Sequence, residues 1–190
     1  MAPVVLPSLD VSREALRQAR LLNNQHDYAA ALAILDGLHH PRLDHSWSSL
    51  LVRVCSKLGL NDRYLAILEA NIEKHPVWSW RKCHYFKRLH NFGKAKEAIE
   101  IGLVHFPSDY TLLHQKVMLL VRGHDLDEAI RVNQFAIDNA RASLKPFALS
   151  QMARLYELRG NKDMAKVYIH MALELKPNRL WENYARELDG

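Results

Sequence analysis

The strongest constraint on this chain is a pair of spacings that returns five times. Ala19, Val52, Cys83, Val117 and Ala153 are each followed twelve residues later by Ala31, Tyr64, Ala95, Ala129 and Ala165. Seven residues further on stand Leu38, Asn71, Gly102, Ala136 and Ala172. Successive units start 33, 31, 34 and 36 residues apart. Residues seven apart share one face of a helix. Most of the recurring residues are small, as they must be where two helices cross closely. A unit of this length is a helical hairpin. One hairpin cannot bury both of its faces, so five in series must lean on one another.

The punctuation keeps the same register. Turn formers fall inside each unit, at His26-Asp27, Gly59 to Asp62, His90 to Gly93, Gly123 to Asp125 and Gly160 to Asp163. Pro41, Pro76, Pro107 and Pro177 follow second helices, where a helix has to stop. The fourth unit has no such proline. It runs on through Ala140 to Lys145, and Pro146 then suits the first turn of the next helix.

The fullest copy is Ala148 to Pro177, ALSQMARLYELRGNKDMAKVYIHMALELKP, with Tyr156 and Ile169 as the large residues between the small ones. These residues resemble the tetratricopeptide repeat (TPR) family over Ser12 to Pro177, most weakly in the second unit, where Tyr64 and Asn71 replace small residues. The resemblance implies an all-α, right-handed superhelical solenoid of about five TPR-like helix-turn-helix hairpins plus a C-terminal capping helix. The expected division is an extended N-terminal segment at 1–11, repeats at 12–44, 45–75, 76–109, 110–145 and 146–177, and a cap at 178–190. The cap carries Leu180, Trp181, Tyr184 and Leu188 on one side.

Composition narrows the class of partner. The net charge is +5 with His neutral, and there are eleven His besides. That balance suits an acidic peptide, nucleic acid, or an anionic polymer or membrane. Two cysteines do not make a disulfide framework. Met1 to Ser8 lacks the basic start and apolar run of a signal peptide. No apolar run approaches the ~18 residues of a membrane span, so a cytoplasmic setting is expected.

The resemblance also implies a ligand face. In this family the first helices line a concave groove. The residues one turn either side of each first-helix centre are the candidates for it. The central column is Arg20, Arg53, His84, Met118 and Arg154. Around it stand Leu16, Asn23, Asn24, Ser49, Ser56, Lys57, Trp80, Lys87, Arg88, His114, Val121, Arg122, Ser150, Glu157 and Leu158, with Glu157 the only acid among the candidates. The arginine fork pairs with carboxylate or phosphate in two places at once. The partner-binding residues expected are therefore Arg20, Asn24, Arg53, Lys57, Trp80, His84, Lys87, Arg88, His114, Arg122 and Arg154. Some family members hold a chaperone's acidic tail with a lysine, asparagine and arginine clamp. Leu16 and Arg20 depart from that clamp here.

Three constellations look like chemistry and are read as structure. Cys83 and His84 are helical neighbours pointing about 100° apart, so they cannot form a thiol–base pair. Cys83 also holds a small packing site. His39, His40 and His45 share a loop with Asp44 but show no metal-ligand spacing. In WSWRKCHYFKRLH, Cys83 and Phe86 turn inward and Trp78 is expected at the start of the helix. Only Trp80, His84, Lys87 and Arg88 share a face, too small a patch for a stacking platform. No phosphate loop, nucleophile elbow or zinc helix occurs.

The reading is a non-catalytic protein-interaction scaffold or adaptor, with no cofactor and no metal. It would bind an anionic or extended peptide segment in a basic concave groove. The alternatives are a platform for nucleic acid or anionic polysaccharide, and the accessory repeat region of a larger enzyme such as a glycosyltransferase. Self-association into a homo-oligomer is a further expectation.

Overall fold

The computed structural model describes residues 7–37 and 40–189. Among them are eleven α-helices, one short 3-10 turn and no strand. The chain forms two compact units, the first ending at Asn71 and the second beginning at Ile72.

Unit 1 holds two hairpins. The helices are α1 (Leu9–Asn24), α2 (Tyr28–Gly37), α3 (Asp44–Leu58) and α4 (Asn61–Asn71), with a 3-10 turn at Pro41–Leu43 before α3. Ser8 caps α1 by accepting from the Val11 amide. The helix therefore starts at Leu9, and Leu9 to Val11 are helical rather than part of an extended segment. Residues 1–6 lie outside the described residues, as do Leu38 and His39. The core gathers Leu16, Ala19, Ala31, Leu35, Trp47, Leu50 and Val54. Outside it, Arg63 of α4 forms an ion pair with Asp36 of α2. That guanidinium's hydrogen bonds hold the Asp36 carboxyl below its usual range.

Unit 2 holds three hairpins and a final helix. They are α5 (Pro76–Arg88) with α6 (Phe92–His105), α7 (Tyr110–Arg122) with α8 (Leu126–Asn139), α9 (Lys145–Leu158) with α10 (Lys162–Leu175), and α11 (Arg179–Asp189). Cys83, Ala95, Val117, Ala129, Ala136, Ala153, Ala165 and Ala172 are all buried, as the register requires. Gly102 shows why a small residue is needed: a methyl there would stand 2.5 Å from the Ser79 side chain. Trp78 stands at the helix entry as expected, in the first turn of α5, and is fully buried there. In α11 the buried side is Ala185 and Leu188, with Trp181 and Tyr184 partly covered. Leu180 departs from expectation: the covered stripe of α11 runs through Trp181, Tyr184, Ala185 and Leu188, and Leu180 at its edge is 75% exposed.

All five hairpin turns share one backbone device. A left-handed residue closes the first helix: His26, Gly59, His90, His124 or Gly160. The next amide then donates to the carbonyl five residues back. The pairs are Asp27 to Leu22, Leu60 to Cys55, Asn91 to Phe86, Asp125 to Leu120 and Asn161 to Tyr156, at 2.8–3.0 Å. This is the Schellman closure, which satisfies carbonyls that the helix end would leave bare. In four turns that same residue caps the second helix, with Asp27, Asn91, Asp125 and Asn161 accepting from Ala30, Lys94, Glu128 and Met164. Histidine tolerates the left-handed region poorly compared with glycine, so three of the five turns are strained.

Candidate functional site

The first helix of each hairpin carries the candidate binding residues, and the two units treat them differently.

In unit 1, α1 and α3 lie side by side. Arg20, Asn23 and Asn24 of α1 and His45, Ser46, Ser49, Leu50 and Arg53 of α3 line a cleft of about 450 Å³. No carboxylate lines it. Arg20 and Arg53 are exposed, and neither makes an ion pair or side-chain hydrogen bond among the described residues. Asn24 accepts from the Asn23 amide at 3.3 Å. The Asn23 oxygen is buried without a hydrogen-bond partner. Lys57 lies on α3 beyond the cleft lining and is exposed. Leu16 is not on this face. It is buried in the hairpin core.

In unit 2 most of the expected cations are already engaged. Lys87 of α5 donates to the Gln115 side-chain oxygen of α7 at 3.0 Å. The His114 Nδ1 of α7 lies 2.9 Å from the Gln151 side chain of α9, within hydrogen-bond reach. Arg122 lies over the Phe92 ring with its guanidinium 3.8 Å from the centroid. Arg154 lies 5.6 Å over the Tyr184 ring, whose hydroxyl donates to Glu157 at 2.8 Å. Burial and that bond to a carboxylate both hold the Tyr184 phenol well above its usual range. Arg88 alone stays exposed without a partner among the described residues.

Trp80 and His84 form a pair on α5, their ring centroids 4.3 Å apart. The His84 Nε2 is buried without a hydrogen-bond partner. Desolvation first, then the nearby charges of Lys87 and Arg88, push its pKa below the usual value. His84 is therefore neutral near pH 7 and contributes no cation to the face.

The discounted chemistry can be placed as well. Cys83 is buried, and desolvation raises its thiol to about 11, the opposite of an activated nucleophile. His40 accepts from the Arg42 amide. Among the described residues no three His, Cys, Asp or Glu side chains gather as metal ligands. No described helix is long and apolar enough to cross a membrane.

Two features escaped the sequence reading. His45 and Ser46 line the cleft because they belong to the first turn of α3, where His45 was expected in the inter-repeat loop. Gln115 and Gln151 lock inner helices together in unit 2. Their signal was present, since both are amides at positions where α7 and α9 face inward.

The sequence matches no known protein family and no curated protein. Solved structures do match. A tetratricopeptide repeat protein from Parabacteroides merdae aligns at 15% identity and a TM-score of 0.69, covering 93% of this chain and 72% of its own. YrrB, a TPR protein with an unusual peptide-binding site, aligns at 15% identity and a TM-score of 0.63, covering 91% and 90%. TTC0263, a thermophilic TPR protein of Thermus thermophilus, aligns at 19% identity and a TM-score of 0.56, covering 93% and 98%. At such identities the likeness is one of fold.

Proposed function

We propose that this chain, a helical repeat of the tetratricopeptide-like fold, is a non-catalytic interaction scaffold whose anchor is the α1–α3 cleft of unit 1. The ligand is an extended peptide segment with acidic groups. Arg20 and Arg53 each receive a carboxylate, with the polar side chains around them completing its solvation. The observation that carries this reading is the pair of guanidiniums without partners, in a cleft lined by no acid. A forked cation left open is worth more to a ligand than one already spent on a neighbour. Peptide binding by the similar fold of YrrB supports the same class of partner.

The test is fluorescence anisotropy with a labelled oligoglutamate peptide over a series of salt concentrations. Wild-type chain should bind, with affinity falling as salt rises, because exposed charges are screened. Arg20→Glu with Arg53→Glu should abolish the signal while the helical circular dichroism stays unchanged. Retention of binding in that double variant overturns the reading. Unlabelled oligothymidylate serves as competitor. If it displaces the peptide at equal charge, the cleft reads charge alone and the nucleic-acid alternative gains.

A further inference from the structure

Unit 2 has a pair of adjoining hollows to which the cleft of unit 1 contributes nothing. The first, of about 330 Å³, is lined by Pro76, Val77 and Trp80 of α5 and by Asp109 and Thr111 at the start of α7. The second, of about 500 Å³, shares Asp109 and Thr111 and continues to Asn139 at the end of α8 and Arg141 beyond it. The two shared residues make one continuous surface, apolar at one end and polar at the other. Thr111 and Arg141 are exposed, so the surface opens to solvent.

The charges on this surface can be sorted by what each already meets. At the apolar end, His75 Nδ1 accepts from the Val77 amide at 3.2 Å. At the polar end, His105 faces Glu73 at 3.7 Å. Asp109 caps α7, its Oδ1 accepting from the Leu112 amide at 3.0 Å, while its Oδ2 meets no donor among the described residues. The Arg141 guanidinium makes no ion pair or hydrogen bond among them, with Asp109 or with any other group. One carboxylate oxygen and one guanidinium are therefore left for a ligand. Trp80 adds an aromatic ring at the apolar end, backed by the His84 ring at 4.3 Å.

An aromatic face beside a carboxylate selects a cation. Apolar walls suit the methylene stem of a lysine, which carries its ammonium on to Asp109. Arg141 then selects a carboxylate further along. We propose that this edge of unit 2 is a second peptide site, taking an extended segment that sets a lysine on Trp80 and Asp109 and a nearby acidic side chain on Arg141. The site stands apart from the α1–α3 cleft, where both anchors are cations and the ligand is acidic alone.

Fluorescence anisotropy with labelled glycine–serine peptides tests this. Each peptide carries one lysine and a glutamate one, two or three residues away on either side. The starting protein is the full chain with Arg20→Gln and Arg53→Gln, so that the unit 1 cleft cannot supply the signal. One spacing should bind best, and the same peptide without its lysine should bind about fivefold more weakly. Asp109→Asn keeps a capping side chain but loses the charge, and should weaken binding about tenfold. Trp80→Leu should cost about fivefold. Arg141→Glu should lose the lysine–glutamate peptide and take up a lysine–lysine peptide of the same spacing, a switch that a merely structural role would not produce. The proposal is overturned if no spacing binds at millimolar peptide, if Asp109→Asn binds as the starting protein does, or if Arg141→Glu keeps the original preference.

Discussion

The candidate cations of unit 1 (Arg20, Arg53 and Lys57) and of unit 2 (Lys87, Arg88, Arg122 and Arg154) offer a ligand different things. In unit 2, Lys87 is tied to Gln115, Arg122 lies on Phe92, and Arg154 lies on Tyr184. In unit 1, Arg20 and Arg53 face a shared cleft with nothing to hold them. Counting charges along a helix face therefore overstates the binding surface. What matters is whether the fold has supplied an amide, a ring or a carboxylate within reach of each cation. Unit 2 has used its cations to fix helices to one another, while unit 1 has left its pair for solvent or for a partner.

Several substitutions put that contrast under strain. The largest effect should come from Arg53→Glu alone, which puts a carboxylate into the cleft beside Arg20. It should weaken oligoglutamate binding by about a hundredfold, whereas Arg154→Glu should change it little. Equal losses from the two would erase the distinction between the units. Next is Gly102→Ala, which drives a methyl into Ser79 between α5 and α6. Chemical denaturation should show unit 2 weakened by about 2 kcal/mol, with peptide affinity in unit 1 intact. Arg122→Ala removes the ring contact with Phe92 and should cost about 0.5–1 kcal/mol, again without touching affinity. A change in the other direction is expected from His124→Gly, which relieves a left-handed histidine and should raise stability by about 1 kcal/mol.

The smallest effect concerns pH. The His84 pKa is lowered in the folded chain, so the unfolded chain binds the proton more readily. Its contribution to stability is present above the ordinary histidine pKa of about 6.5 and is lost as pH falls below that value. Thermal midpoints measured between pH 7.5 and 5.5 should drop, and His84→Gln should flatten part of that slope. An unchanged slope would mean that the ring is solvated and that the inner face of α5 is more open than its burial implies.

Much of the fold was legible because its grammar is local. The twelve- and seven-residue spacings named the buried contacts, and every one of them that lies within the described residues is buried. Even Tyr64 and Asn71, which break the small-residue rule, kept the register. The candidate site was only half legible. Arg20 and Arg53 could be read as cations on a shared face, yet nothing in the chain order shows that both lack partners while Lys87, Arg122 and Arg154 are engaged. That depends on which side chains of neighbouring hairpins come within 3–6 Å, and those lie roughly thirty residues away. Trp78 is at the helix entry as the sequence implies, but its full burial is not legible for a related reason: it depends on the helices that pack around it. Leu180 does depart, since its phase matches Tyr184 and Leu188 but the covered stripe of α11 is shifted toward Trp181 and Ala185.

The backbone closure shared by the five hairpin tips has a consequence for how such a chain can be edited. Each tip is the same backbone mould, so a whole hairpin can be removed or duplicated at equivalent points and the joints still close. A single inserted residue is another matter. Placed between Ala129 and Ala136, it would rotate the rest of α8 by about 100° and swing Ala136 out of its contact. Length is cheap to change in this architecture only when it changes by the full module.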